Sequence, residues 1–567
     1  MSPSDTLPDA GSSRSGAGLG AAASGVETPA PGRALRLLTA LLVIVGVVLR
    51  FLPRSDLWLD EALSANIASL PLADIPGALE RDGHPPLYYA LLHLWGLAGD
   101  SDWWYRALSG VVSLVGLPLA YLAGRRLGRR RASRGLGGRR VGLITLGLWA
   151  VLPFAVRYAS ETRMYALVST LVLAGYLLVD NLLREPARPD QPTGRAWGSA
   201  AGLALVTGAL LLTHYWALWL GAAVAVLAVV VAVRAVAPDR RRGAWLCLGS
   251  LAAGLVLFAP WLPTMLYQSE HTGTPWGEVF RPATIVVVTI TDFVGGGFGE
   301  LQIVSYVLFT AIAVATVGVL RGRAGRQVVE LGVTPQARIL PELWVLLGTL
   351  VIGWAASVVA GSTYASRYAA VVAPLFALCV AGGVAMARTT RTTAVITLVV
   401  GAALVAGSAV EVVADRTQAG RVAERIAEDI ARDVGRDAAG AGAPPTVIVC
   451  PDQLGPATHR ALEHRGVEAV VVPFPDAGDP RFVDWVDYAE RNADAEPAEF
   501  TQELVDEVPA GGSLYAVTNP GYATFEGKCE IVLSTLSGAG GQVEQLDTAD
   551  PENHFESMDT WVLRPSG

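Results

Sequence analysis

A few short stretches of this chain carry side chains able to hold a phosphate and move a proton. In LWLDEALSANIASL, Asp60 and Glu61 follow directly on an apolar run. A carboxylate at the edge of a low-dielectric region gains proton affinity, which suits a general base. Neighbouring residues on a helix point in different directions, so the two acids need not share a role. An acid pair stabilised by a helix N-terminus explains the same residues, and on chemistry alone that structural role is the stronger reading. In RDGHPPLYYALLHLW, Gly83 precedes His84 and the Pro85-Pro86 pair, a rigid turn into an aromatic segment that includes Tyr88. His84 suits a phosphate contact or a metal ligand, and Asp82 suits a support for it or a divalent cation. A surface histidine in a loop turn is an equal alternative. His93, inside an apolar helix, reads as a packing residue.

RYASETRMYAL supplies Arg157, Glu161, Arg163 and Tyr165, and TYASRYAAVVAP repeats the theme with Tyr364, Arg367 and Tyr368. The planar fork of arginine can bind two phosphate oxygens at once. An anionic ligand is one reason for such residues. An ion pair of Glu161 with Arg157 or Arg163, or anchoring to lipid headgroups, is the plainer one. His214 and Tyr215 occupy a very short turn and could reach the same cavity or serve as interfacial anchors. Trp276 lies in a second long loop.

The elements that must position these residues are written in the composition. The chain has 567 residues, 52% hydrophobic and only 17% charged, with a mean hydropathy of +0.42. A soluble chain carries about 25% charged residues, so this is a membrane protein. Eleven apolar blocks are expected to span, near 35–52, 106–124, 141–156, 165–183, 198–213, 215–233, 244–260, 301–320, 340–360, 369–387 and 393–413. Every second connection is rich in arginine, the densest between the second and third spans (Arg125, Arg126, Arg129, Arg130, Arg131, Arg134, Arg139, Arg140). The positive-inside rule then puts the N-terminus in the cytoplasm and the chemistry-bearing loops outside. The first of these is the long external loop 53–105. A moderately apolar stretch at 283–294 is too short to span and reads as a helix lying at the interface.

Residues 1–32 are mostly Gly, Ser, Ala and Pro with almost no large apolar residue, a disordered cytoplasmic tail by composition and not a signal peptide. Residues 33–414 form the membrane domain and 415–567 an extracytoplasmic domain. The latter holds 28 of the 51 acidic residues but only 11 of the 43 basic ones. It opens with the helical pattern RVAERIAEDIARDVGRD. It then alternates strand-like runs (TVIVCP, VEAVVVPF, SLYAVTNP, EIVLSTL, TWVL) with helix-compatible stretches, which suggests a small α/β domain. No GxGxxG follows its first strand, so no nucleotide site is expected. The arginines between spans are explained by topology, so no nucleic-acid partner is expected either. Cys247 and Cys379 read as core residues. Cys450 and Cys529 could pair if the domain is outside the cell, and no cluster suggests structural zinc.

The pairing of LDEALSANIA with GHPPLYYALLHLW, followed by SETRMYAL, GTPW at 273–276 and SRYAAVVAPLFAL, resembles the GT-C glycosyltransferases. Within them it is most similar to the bacterial branch related to protein O-mannosyltransferases and aminoarabinose transferases. The resemblance covers roughly residues 35–400. It implies a polytopic helical enzyme that moves a sugar, mannose by this likeness, from a polyprenyl-phosphate carrier to an acceptor hydroxyl on a glycan, lipid or protein, with inversion. It implies that Asp60 is the catalytic acidic residue, as general base or acceptor orienter, with Glu61 its companion, and that His84 stands at a basic position facing the carrier phosphate. By charge and position Arg163, Arg367 and Tyr165 are the further candidates for the donor phosphate, and Asp82, Tyr88, His214, Tyr215 and Trp276 for substrate contacts. Some relatives carry an acid just before the basic residue of the second motif. Here that position is Gly83, so no cofactor is expected to be required, and a divalent metal, with Asp82 as its ligand, stays open. A transporter or flippase is the competing reading, but such proteins place ionisable groups near the bilayer midplane, often in repeated halves.

Overall fold

Backbone groups in lipid have no water to bond, so long runs of Leu, Val and Ala must become helices that pair their own N–H and C=O groups. The structure, a computed structural model, describes residues 32–53, 55–130, 136–183, 193–273, 281–295, 301–323, 326–331, 339–360, 364–387, 389–434, 444–508, 513–519, 521 and 527–564. The expected tail and Trp276 lie outside these. Each of the eleven expected spans coincides with a helix: Arg33–Arg50, Asp102–Leu127, Gly138–Val151, Tyr165–Leu183, Thr193–Leu211, Ala217–Arg234, Pro238–Phe258, Leu301–Val317, Leu340–Ala360, Ala373–Val384 and Thr390–Val413. Among the described residues, six helices are both long and apolar enough to cross a membrane. The protein is a polytopic helical membrane protein.

Small residues let these helices approach closely. A Cβ at Gly124 would lie 2.2 Å from Thr145 Oγ1, and one at Gly383 would lie 1.9 Å from the Ala311 carbonyl oxygen. The block at 369–387 is not one long span. Ser366–Val371 forms a 3-10 turn, and a wholly buried helix, Ala373–Val384, follows it. The helix expected at the interface, Pro282–Phe293, forms, but Ile285, Thr289, Ile290 and Phe293 are buried. It packs against the short helix Pro153–Arg157, the Leu340–Ala360 span and the 3-10 turn. An antiparallel hairpin, β1 (Gly318–Arg323) and β2 (Arg326–Leu331), stands in an arginine-rich connection that the sequence reading treats as loop.

The first long loop is itself helical, with Leu59–Ser69, Ile75–Asp82 and Leu87–Gly96. The C-terminal part begins with the helix Ala419–Val434 and builds a five-stranded sheet of order β4-β3-β5-β7-β6. Its strands are β3 (Thr446–Cys450), β4 (Val470–Pro473), β5 (Leu514–Thr518), β6 (Gln542–Asp547) and β7 (Asp559–Arg564). β3 pairs in parallel with β4 and β5, and β7 runs antiparallel to β5 and β6. EIVLSTL is not a strand but lies in the helix Lys528–Gly538. Its buried residues Cys529, Val532 and Leu536 follow helical spacing, a pattern that a short apolar run conceals. Cys450 and Cys529 form a disulfide that ties this helix to β3.

The sheet domain is docked on the first long loop. Arg460 pairs with Asp102 at 2.7 Å and Arg465 with Asp56 at 3.2 Å. Asn66 donates to the Arg481 carbonyl at 2.8 Å. Trp58 and Leu59 are buried in the same apolar cluster as Ile448, Cys450 and Phe474 of the domain.

Candidate active site

The helix Leu59–Ser69 presents Asp60 one residue after its start. The loop before Tyr165 brings Arg163, and the 3-10 turn brings Arg367. Asp60 Oδ2 lies 3.1 Å from Arg367 Nη1 and 3.7 Å from Arg163 Nη2. Arg163 is fixed further by donating to the Asp60 carbonyl at 3.2 Å and to Ser64 Oγ at 3.1 Å. Its Nη2 stands 3.1 Å from His84 Nε2. A guanidinium can only donate, so His84 Nε2 accepts and the ring proton sits on Nδ1. That proton goes to Asp82 Oδ2 at 2.8 Å, and Tyr89 donates to the same oxygen at 2.9 Å.

The turn that makes this possible is at Gly83, where φ is +84°. A left-handed residue there ends the helix Ile75–Asp82 and folds His84 back on Asp82, a conformation glycine adopts without cost. A Cβ at Gly83 would also meet Thr272 Oγ1 at 2.9 Å.

Burial pushes the Asp60 carboxyl up, but the charges of Arg163, Arg367 and Arg157 outweigh it and hold it below the usual carboxylate range. The expectation of a raised proton affinity is therefore reversed, because arginines rather than lipid dominate its surroundings. Burial likewise pushes Asp82 up, and His84, Arg163 and Tyr89 together hold it low. Several buried polar atoms around Asp60 accept or donate no hydrogen bond: Arg163 Nε, Arg367 Nε, Tyr165 OH and Thr162 Oγ1.

Other candidates fall elsewhere. Glu61 is fully buried and faces away from this cluster. Its oxygens take Arg106 Nε at 2.8 Å, Arg106 Nη2 at 2.6 Å and the Thr162 N–H at 2.8 Å. Tyr88 is buried against Ser109, 3.1 Å between hydroxyl oxygens. His214 accepts from the Trp216 N–H at 3.1 Å, and its ring packs between Tyr165 and Tyr368 at 5.6 and 5.4 Å. Tyr215 donates to Gln268 and accepts from Trp261 Nε1, away from Asp60. Glu161 pairs with Arg157 at 3.2 Å and with Arg416 at 2.6 Å, which leaves Arg163 to Asp60.

Asp82 is a poor metal ligand as it stands, with one oxygen shared by His84 and Tyr89. Asp56, Asp102 and His464 place ligand atoms within 4.8 Å of one another. Arg465 and Arg460 already neutralise those two carboxylates, so the group reads as a docking contact.

The sequence reading misses Arg106, Ser64, Tyr89 and Glu556. A buried acid such as Glu61 demands a partner, and Ser64 stands one helical turn from Asp60. Those signals point to Arg106 and Ser64 only once the fold is known.

The described residues enclose two large cavities. One, of about 600 Å³, is a cleft between the first long loop and the sheet domain, lined by Leu63, Ile67, Asp82, Asp452 and Asp484 among others. The other, of about 810 Å³, is largely apolar and runs among the spans from Leu210 and Ala217 towards Arg130 and Arg240.

No family model matches the chain, and no curated protein sequence does. Solved structures do. ArnT from Cupriavidus metallidurans bound to undecaprenyl phosphate superposes with a TM-score of 0.55 at 15% identity, over 93% of this chain and 97% of that one. The same protein in the apo state gives 0.54 at 15% identity, over the same shares. The oligosaccharyltransferase of Archaeoglobus fulgidus, in complex with Zn and sulfate, gives 0.47 at 11% identity, over 92% of this chain and 72% of that one. The likeness to ArnT covers 93% of the chain, membrane helices and sheet domain together, and shows that the two share a fold.

Proposed function

We propose that the protein is a membrane glycosyltransferase that moves a sugar, mannose in the first instance, from a polyprenyl-phosphate carrier to an acceptor hydroxyl with inversion. The observation that carries this reading is the convergence of Asp60, His84, Arg163 and Arg367 from separate segments, with buried donors left over on both arginines and Tyr165. Unpaired buried donors are costly, and a phosphate supplies the acceptors they lack.

The chemistry follows from charge. At the transition state the sugar resembles an oxocarbenium ion while negative charge grows on the leaving phosphate. The carrier phosphate lies against Arg163 and Arg367 and receives the electron pair of the breaking C–O bond. The Asp60 carboxylate takes the acceptor proton as the new bond forms on the opposite face. In the resting site the arginines make Asp60 a weak base. A phosphate that shares those arginines relieves their pull, so the donor itself raises the proton affinity of the base. The Asp82–His84 pair holds Arg163 in place through His84 Nε2.

The apolar cavity of about 810 Å³ suits an isoprenoid chain. The carrier of this reading is polyprenyl phosphate, the class of lipid to which undecaprenyl phosphate, bound in the ArnT structure, belongs. The alternation of arginine-rich connections supports an inward N-terminus, a membrane domain over 33–414 and an outward domain over 415–567. The Cys450–Cys529 disulfide agrees with an oxidising compartment. The transporter reading is weaker, because the charged cluster lies at one end of the bundle.

The test uses protein in nanodiscs, radiolabelled polyprenyl-phosphate-mannose and a membrane extract as acceptor source. Acceptor-dependent release of carrier phosphate that disappears in Asp60→Asn supports the reading. Full activity in that variant overturns the role of Asp60. Wild-type inactivity with every polyprenyl-phosphate sugar tried overturns the function.

A further inference from the structure

The helix Leu59–Ser69 has no cap of its own. Trp58 occupies its N-cap and offers no side-chain acceptor, although that position favours Ser, Thr, Asp or Asn. The orphan N–H of Leu59 is met from the far end of the chain, by Glu556 Oε1 at 3.2 Å across 497 residues. Glu556 is only 1% exposed, and its backbone is held on both sides. Its N–H donates to the Arg416 carbonyl at 2.8 Å, and its carbonyl accepts from the Gln418 N–H at 3.0 Å. Next to it, Phe555 meets Trp58 edge to face with ring centroids 5.4 Å apart. The segment that carries the cap is thus stitched to the chain where it leaves the last span, and the residue after the capped one is Asp60.

We infer that Glu556 is a positioning residue: from the C-terminal domain it caps the helix that carries Asp60, and so sets where that carboxylate stands relative to Arg163 and Arg367. The inference rests on the reading of Asp60 as the catalytic carboxylate. It assigns the sheet domain a part in the reaction that domain docking alone does not.

The chemistry of the cap makes the idea discriminating. Burial pushes the Glu556 carboxyl up to about 8, and the Asp60 and Glu61 charges add to the rise, against the pull of Thr417 and the Leu59 N–H. The rise favours the neutral carboxylic acid, which accepts the Leu59 N–H through one oxygen. Glutamine has the same shape and the same acceptor. Glu556→Gln should keep the cap, whereas Glu556→Ala removes it and Glu556→Asp pulls it back by one methylene.

Three readouts are compared at pH 7: kcat and donor KM for carrier-phosphate release, hydrogen exchange of the peptide covering residues 57–70, and binding of undecaprenyl phosphate. The expected result for Glu556→Ala and Glu556→Asp is a drop in kcat of about 5- to 10-fold at an unchanged KM, the size of one lost cap. Exchange at the start of the helix should be faster in both, and Glu556→Gln should restore both values to those of the wild type. Wild-type kcat and exchange in both disruptive variants would overturn the inference. So would a Glu556→Gln variant as impaired as Glu556→Ala. Hydrogen exchange and undecaprenyl-phosphate binding need no turnover. An inactive wild type would therefore count against the proposed function, while unchanged exchange would count against Glu556.

Discussion

Two ion-pair clusters stand on opposite sides of the first turn of one helix, seeded by consecutive residues. Around Glu61 everything is closed: Arg106 grips both oxygens, Thr162 adds a backbone N–H, and the carboxylate is fully buried. Around Asp60 the contacts are longer, at 3.1 and 3.7 Å, its side chain keeps 16% of its exposure, and donors on both arginines are unused. A buried pair with every site filled holds a structure together, since removing one partner strands the other charge. A pair with donors to spare has hydrogen-bonding capacity left for an anion, the part that the proposed function gives it. The difference separates the structural acid from the chemical one more sharply than residue type does.

Substitution should split the two clusters along that line. Asp60→Asn should lower turnover by about 10³-fold, within the range for losing a positioned base, while its thermal unfolding stays near that of the wild type. Glu61→Gln should do the reverse, losing stability of about 3 kcal/mol, the lower end for breaking a buried pair, with kcat of the folded protein within a few-fold of normal. Differential scanning fluorimetry beside the release assay reads both. A stable but inactive Glu61→Gln would erase the contrast.

The arginines come next. Arg367→Ala should weaken transition-state stabilisation by about 10²-fold, the loss typical of one preorganised donor, with Arg367→Lys recovering part of it. Arg163→Ala should be worse than Arg367→Ala, because Arg163 also holds Ser64, His84 and the Asp60 carbonyl. Equal losses would mean that those extra contacts do not position the site. A pH profile sharpens the same point. In free enzyme Asp60 is held low, so its acid limb in kcat/KM falls below the ordinary carboxylate value of about 3.9. With donor phosphate sharing the arginines its proton affinity rises, so the acid limb of kcat should lie at higher pH than that of kcat/KM. Limbs at the same pH would show that the donor does not relieve Asp60.

What the sequence makes legible follows the same division. Asp60, Glu61, His84, Arg163 and Arg367 are visible as ionisable residues near the ends of apolar blocks, but chemistry alone favours a structural role for the two acids, and it is the family resemblance that puts Asp60 forward. The helical character of the apolar blocks is legible because lipid allows the backbone few alternatives. The roles of Glu61 and Tyr88 are not legible, since burial against Arg106 or Ser109 depends on how spans pack. The Glu556 cap is beyond local signals altogether, as its partner is 497 residues away. In the sheet domain, EIVLSTL carries β-branched residues yet folds as helix because Cys529, Val532 and Leu536 find one buried face. β6, with its largely exposed pattern, has too few apolar residues to announce a strand.

The smallest effect tests the comparison at its finest. Tyr88 and Tyr89 are adjacent and both buried, yet one leads to the backbone of Arg163 and the other to the partners of its side chain. The Tyr88 hydroxyl meets Ser109, whose own hydroxyl donates to the Arg163 carbonyl at 3.1 Å. The Tyr89 hydroxyl donates to Asp82, the acid that fixes the His84 tautomer. Removing either hydroxyl costs about 1 kcal/mol of stability, the net worth of one hydrogen bond. Only Tyr89→Phe also loosens the Asp82–His84 pair and, through His84 Nε2, Arg163. Tyr88→Phe should therefore lower the unfolding temperature with donor KM and kcat unchanged. Tyr89→Phe should lower it by a similar amount and raise donor KM a few-fold. If the two variants prove kinetically alike, the Asp82–His84 pair is packing rather than part of the phosphate site, and the chemical cluster shrinks to Asp60 and its two arginines.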